Sequence, residues 1–205
     1  MKSAPKSKTS SVATQGKVRI IAGQWRGRVL PVIQADGLRP TGDRVRETLF
    51  NWLQFEWEGA RWLDVFAGSG ALAFEALSRQ ASQVVMLERQ PQAVKQLQQN
   101  KSLLKAEGAQ IIQADSFQWL AQRQSDFAPF DGVFCDPPFN DQRVEQLIDL
   151  LVSNHFIKPN GWLYLEQPKQ RVLSLPHFES YRQQTTGAVT FGLWRLTSDF
   201  GCERE

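Results

Sequence analysis

Cysteine, histidine, methionine and tyrosine each occur only twice among the 205 residues. The cysteines (Cys135, Cys202) and histidines (His155, His177) stand at no metal-ligand spacing, so no metal centre is expected and no disulfide framework can be drawn. Cys135 lies in an apolar run and reads as a small buried hydrophobe. So few thiols fit a reducing, cytoplasmic location. No apolar stretch approaches the ~18–20 residues of a membrane span, and residues 2–17, though basic, lack the apolar centre of a secretory signal. There is no internal repeat. What remains is one domain of ordinary size, 41% apolar and 22% charged, with enough chain for a full core.

The net charge of +3 conceals an asymmetry. Residues 1–46 hold ten Lys/Arg against two acids, Asp36 and Asp43, and the rest hold fourteen against nineteen. The first quarter is therefore +8 and the remainder −5. A localised basic segment is the footprint of a polyanionic partner, most simply nucleic acid. Residues 1–16, rich in Ser, Thr and Lys, read as a disordered, solvated tail. Residues 17–58 read as a hairpin (18–22 and 28–32, around Gly23-Gln24-Trp25-Arg26-Gly27) followed by a helix over 43–54, capped by Thr41 or Asp43.

Residues 59–199 alternate strand and helix: strands at 61–66, 84–88, 109–113, 130–135 and 161–167, helices at 71–79, 91–106, 117–124 and 143–154. Pro91 opens the second of these helices, where a missing N–H costs nothing. The rhythm predicts an α/β fold with a mostly parallel sheet covered on both faces. Two consecutive strand-like runs, 179–186 and 188–197, predict a closing antiparallel hairpin turned at Gly187.

Ligands of open α/β sheets bind beyond the carboxyl ends of the strands, and four acids close successive strands here: Asp64, Glu88, Asp115 and Asp136. Asp64 opens the turn Asp64-Val65-Phe66-Ala67-Gly68-Ser69-Gly70, whose glycines let a ligand approach the backbone beside free helix N–H groups. An anionic Asp64 would repel a pyrophosphate and attract a cation. S-adenosylmethionine carries an ammonium and a sulfonium and no phosphate. Glu88, eighteen residues after Gly70, is placed to hold ribose hydroxyls, and Asp115-Ser116 to take an adenine amino group.

Asp136-Pro137-Pro138-Phe139 ends the fourth of these strands. It reads either as a plain Pro turn or as a rigid bend that aims a carboxylate and a carbonyl at one point beside an aromatic face. The second arrangement suits an exocyclic amine on a stacked base.

With Arg39-Pro40-Thr41-Gly42-Asp43-Arg44-Val45-Arg46-Glu47, followed by Leu49-Phe50-Asn51, these motifs resemble class I S-adenosylmethionine-dependent methyltransferases. More narrowly, residues 18–197 resemble the RsmD family of bacterial small-subunit ribosomal RNA guanine-N2 methyltransferases. The resemblance implies a Rossmann-like sheet of seven strands, the last antiparallel, with the hairpin and helix as a small N-terminal extension. It implies cofactor contacts at Asp64, Phe66, Gly68, Gly70, Glu88, Arg89, Asp115 and Ser116. Asp136 and Pro137 would hold the target amine and Phe139 would stack on its base. Arg39, Thr41, Arg44 and Arg46, near the pocket, and Arg19, Trp25, Arg26 and Arg28, on the hairpin, would meet RNA. Trp25 has a second reading, packing within the hairpin.

Asp at the first position of the DPPF motif, where many adenine-methylating relatives have Asn, points to guanine, because a carboxylate only accepts hydrogen bonds. The expected partner is small-subunit ribosomal RNA, free or within the assembled 30S particle, met by a monomer. Three other readings share part of the evidence: an adenine-N6 methyltransferase of DNA or RNA, a dinucleotide-dependent oxidoreductase, and a non-catalytic RNA-binding module on the same core.

Overall fold

The computed structural model describes residues 15–33, 42–122, 127–138 and 141–198. The seven-stranded sheet has the order β5-β4-β3-β6-β7-β9-β8. Its strands are β3 (Arg61–Asp64), β4 (Gln83–Glu88), β5 (Ala109–Gln113), β6 (Phe130–Cys135), β7 (Ile157–Pro168), β8 (Phe178–Thr186) and β9 (Val189–Leu196). β5, β4, β3, β6 and β7 run parallel, while β9 is antiparallel to both β7 and β8. The parallel strands are apolar runs such as Val84–Leu87, all buried, as expected where helices cover both faces.

One face carries α1 (Asp43–Trp52), α2 (Ala71–Ser78) and α3 (Pro91–Leu104); the other carries α4 (Ser116–Ala121) and α5 (Val144–Ser153). All eight residues of α2 are buried, because the hairpin β1 (Gln15–Arg19) and β2 (Val29–Ile33) roofs its outer side. Ile20 and Leu30 of that hairpin join Val45 and Leu49 of α1 in the same apolar cluster as the sheet. Polar bonds fix the roof. Glu75 of α2 accepts the N–H groups of Ile21 and Ala22 at 2.7 and 3.0 Å, Ser78 donates to the Ala22 carbonyl at 2.6 Å, and Asn100 of α3 donates to that of Pro31 at 3.0 Å.

At the centre, β3 and β6 meet with Trp62 beside Gly132. A Cβ on Gly132 would lie 2.4 Å from the Trp62 ring, so only glycine admits that indole. Trp62 stacks on Phe134 at 4.5 Å and meets Trp57 at 4.9 Å, pairs that add about 0.5–1.5 kcal/mol each to their buried area.

Two local expectations change. Gly42, with no side-chain cap, precedes α1, and Asp43 sits in the first turn bonded to Arg46 at 2.6 Å; Thr41 lies outside the described residues. β7 starts at Ile157 instead of 161, running through Pro159-Asn160-Gly161 with a register shift opposite Phe130 and Gly132. That tripeptide has turn chemistry, and an irregular pairing absorbs it. Among the described residues, no helix is long and apolar enough to cross a membrane.

Candidate active site at the strand ends

The chain leaves β3 toward β4 and β5, then returns to place β6 on the other side of β3. A crevice must open where the order reverses, and the observed cleft lies there. Asp64, Glu88, Asp115 and Asp136 all line it, with Phe66, Gly68, Arg89, Ser116 and Pro137. Consecutive motifs spread over more than seventy residues are thus gathered into one cavity by parallel strands ending at one level.

Gly70 stands just behind the wall. Its φ of +74° turns the chain into α2 and its N–H reaches the Ala67 carbonyl at 2.6 Å. An added Cβ there would strike Leu97 and the Phe74 ring at 2.6 and 2.7 Å. Ala67 N–H bonds Leu87 of β4 at 3.0 Å, and Val65 N–H bonds Phe134 of β6 at 3.1 Å, so the turn is stitched to both neighbouring strands.

Each acid is held differently. Glu88 accepts from Gly68 N–H at 2.9 Å and Gln90 N–H at 2.7 Å. Asp115 caps α4 through Gln118 N–H at 3.2 Å and faces Arg89 at 4.0 Å. Ser116 donates to the Val65 carbonyl, tying this wall to the glycine turn. Asp64 is 2% exposed. Burial lifts its carboxyl from 3.8 to about 7, against the pull of the Phe66 N–H and with a further push from Glu88. A cation placed beside Asp64 would restore its charge; a phosphate would oppose it. The carboxylate set therefore fits a ligand bearing an ammonium and a diol, as S-adenosylmethionine does, and disfavours a dinucleotide. Cys135 is buried, and burial followed by repulsion from Asp136 and Asp64 pushes its thiol well up, so it stays protonated and inert.

Sequence reasoning missed part of the wall. Phe117, Asp141 and Arg143 line the cleft. The Arg143 guanidinium lies 4.0 Å above the Phe117 ring and grips Asp141 at 2.9 Å. Arg171 donates to the Asp141 carbonyl at 2.5 Å, and Asp141 N–H to that of Pro138 at 2.8 Å, bracing the chain beyond the prolines. Val32 and Ile33 of the hairpin also reach the cleft. Nothing in local spacing signals these contacts, which arise from α4 meeting the start of α5 and from the roof over α2.

Of the residues expected to meet RNA, Arg19, Arg26, Arg28 and Arg44 are exposed. Trp25 is partly buried against the core, with its backbone N–H on Ser78 Oγ at 3.0 Å, which matches the packing alternative. Arg46 requires correction: it is 0% exposed. It binds Asp43, the Arg19 carbonyl at 2.9 Å and Glu75 at 3.8 Å, and so fastens α1 to the hairpin and α2 instead of reaching a phosphate. Its place on the inner face of an amphipathic helix, beside Val45 and Leu49, carried that signal. Arg39 and Phe139 lie outside the described residues. Among the described residues no cluster of His, Cys, Asp or Glu could hold a metal ion.

Sheet order, inserted antiparallel strand and acid-lined cleft together define a class I S-adenosylmethionine-dependent methyltransferase. More narrowly, the chain belongs to the family described as Conserved hypothetical protein 95, the RsmD family, whose model matches residues 18–195. It is 48% identical over 184 residues to ribosomal RNA small subunit methyltransferase D of Haemophilus influenzae, covering 88% of this chain and 95% of that one. The protein of the same name from Escherichia coli is 42% identical over 182 residues, covering 88% and 90%. Among solved structures, a putative methyltransferase from Escherichia coli superposes with a TM-score of 0.82 at 38% identity, over 90% of this chain and 100% of that one.

Proposed function

We propose that the protein methylates the exocyclic N2 amine of one guanine in small-subunit ribosomal RNA. The observation that carries this reading is that Asp136 and Pro137 share one cleft with Asp64, Glu88 and Asp115. Acceptors for an amine therefore stand beside a site suited to the methyl donor.

S-adenosylmethionine supplies an already activated methyl group, so the chain's own task is positioning and electrostatic support. Asp64 holds the ammonium, Glu88 the ribose hydroxyls, and Asp115 with Ser116 the adenine edge. The N2 lone pair of guanine is delocalised into the ring. Asp136 Oδ and the Pro137 carbonyl accept the two amine hydrogens, hold them out of plane and turn that lone pair toward the methyl group. As the new N–C bond forms, the donor's methyl–sulfur bond breaks to leave a neutral thioether, and nitrogen gives up a proton that Asp136, already bonded to the amine, can accept. A paired base cannot enter, so the target is a loop base or a flipped one.

Phe139 stacks on the base, and the exposed arginines of the hairpin and α1 meet the phosphates. The chain divides accordingly into a tail (1–16), an RNA grip and cover (17–58) and the catalytic core (59–199). It works as a cytoplasmic monomer on small-subunit ribosomal RNA, free or within the assembled 30S particle.

The deciding experiment offers labelled S-adenosylmethionine with naked ribosomal RNA, 30S particles or DNA. Label in guanine of the RNA or particle is expected, and Asp136→Ala should abolish it while cofactor affinity holds. Label in DNA adenine alone would instead establish the rival N6 activity. Cofactor binding without transfer to any substrate would establish a non-catalytic module.

A further inference from the structure

Two walls of the cleft are joined by a residue that the chemistry above does not use. One wall, at the start of α4, carries Asp115 and Ser116 and then Phe117. The other carries the amine acceptors Asp136 and Pro137, followed by Pro138. Arg143, the residue before α5, lines the same cleft. Its guanidinium carbon lies 4.0 Å from the centre of the Phe117 ring. The same group forks onto Asp141, Nε to Oδ1 at 3.1 Å and Nη2 to Oδ2 at 2.9 Å, and the Arg143 backbone N–H reaches Oδ1 at 2.9 Å. Asp141 in turn donates its N–H to the Pro138 carbonyl at 2.8 Å. A chain of direct contacts therefore runs from the adenine wall, through Arg143 and Asp141, to the second proline of the base-holding motif. The Arg143 bonds, against the effect of burial, hold the Asp141 carboxyl below its ordinary value, so it stays ionised at neutral pH. Two parallel N–H···O bonds also fix the plane of the guanidinium, which a point charge would not do.

We propose that Arg143 is a positioning residue for methyl transfer, setting the base-holding motif against the cofactor by joining Asp141 to the Phe117 wall. The inference rests on the amine-methylation reading above and deepens it. Transfer requires the amine nitrogen to meet the methyl carbon in line at about 3–3.5 Å, and an error near 1 Å can cost about 100-fold. The donor is oriented from α4 and the amine from the end of β6, so their separation needs a member that touches both. Strand pairing does not supply it. The last pair between β6 and β7 is Cys135 with Leu165, and the motif begins beyond it. The Arg143 side chain is 54% exposed and that of Asp141 13%. A pair so open to water adds little to folding stability, which leaves geometry as its contribution.

Three rival roles read differently: a surface ion pair without consequence, a direct contact to an RNA phosphate, and a support of the fold. Single-turnover transfer is measured at saturating S-adenosylmethionine on whichever nucleic acid the wild type labels. Arg143→Met keeps much of the stem and loses the fork. It should slow transfer roughly 10- to 100-fold, with cofactor Kd, RNA Kd, its salt slope and Tm nearly unchanged. Arg143→Lys, which keeps the charge without the planar fork, should restore only part of the rate. Asp141→Asn and Phe117→Leu should each slow the wild type yet add little to Arg143→Met, because all three act through one tie. An unchanged rate in Arg143→Met overturns the inference and leaves a surface ion pair. A salt slope smaller by about 1, with Asp141→Asn harmless, overturns it in favour of a phosphate contact. Losses that follow Tm across the variants overturn it in favour of a folding role. Should Arg143→Met not fold, Asp141→Asn carries the readout: slowed transfer at unchanged cofactor Kd and Tm supports the tie, and an unchanged rate overturns it. A wild type that binds cofactor but labels no nucleic acid overturns the methylation reading, and this inference with it.

Discussion

Gly68 donates its backbone N–H to Glu88 Oε2 at 2.9 Å, across the gap between the glycine turn and the end of β4. Gln90 N–H occupies the other oxygen at 2.7 Å. The carboxylate is thus aimed before any ligand arrives, with lone pairs left for a diol. Glu88→Ala removes the aim and the acceptor together. The Kd for S-adenosylmethionine should rise roughly 10- to 100-fold by calorimetry, since two hydrogen bonds to a charged group disappear. An unchanged Kd would confine Glu88 to holding the turn.

Asp64 should make cofactor affinity depend on pH. In the ligand-free protein its carboxyl titrates at about 7. Below that pH it is protonated and offers an ammonium no charge, so affinity should fall as pH drops and level off above neutrality. Binding near neutrality should release a proton, which calorimetry in buffers of different ionisation enthalpy would reveal. Asp64→Asn should flatten the profile and abolish the release.

The same residue sets a stability effect of defined sign. Its folded value, about 7, lies above the ordinary 3.8. The protonated form is therefore favoured by folding, and its contribution is complete below pH ~4 and lost as pH rises to ~7. Asp64→Asn should accordingly raise the Tm of the ligand-free protein near pH ~8 and leave it almost unchanged near pH ~4.

Buried and exposed arginines should separate cleanly. Arg46→Met strands part of the charge on Glu75, itself 0% exposed, and should lower the Tm by several degrees with the salt slope of RNA binding intact. Arg26→Ala should do the reverse: stability shifts within about 0.5 kcal/mol, while the slope falls by about 1 because one phosphate is no longer neutralised.

Gly132→Val tests the centre of the sheet. The new side chain meets the Trp62 ring where a Cβ alone would stand 2.4 Å away. Overpacking should cost about 1–3 kcal/mol in urea unfolding. Because Asp64 ends β3 and Asp136 directly follows β6, kcat should fall as well.

The parallel core was legible because buried strands and their closing acids leave local marks: apolar runs, a glycine turn, a carboxylate after each. Asp64, Glu88, Asp115 and Asp136 could be placed from those marks alone. Phe117, Asp141 and Arg143 could not, since their meeting depends on how α4 packs against the start of α5. Arg46 misled for a related reason. A guanidinium in a basic stretch suggests phosphate, yet its helical phase with Val45 and Leu49 turns it inward, where Asp43 and Glu75 neutralise it. The early start of β7 was hidden by Pro159-Asn160-Gly161, which keep their turn chemistry (Asn160 φ +59°) as an irregularity between the Ile157–Phe130 and Trp162–Gly132 pairings.

α2 is only eight residues long, a strut of ~12 Å, and both of its ends are occupied. One end leaves the glycine turn beneath the methyl donor's site; at the other, Ser78 takes the N–H of Gln24 on its carbonyl and that of Trp25 on its hydroxyl. The hairpin loop is therefore tied to the glycine turn through one short helix, beside the hairpin's own bonds to Arg46 and Asn100. On the proposed reading, RNA held at that loop would load the helix whose other end leaves the glycine turn.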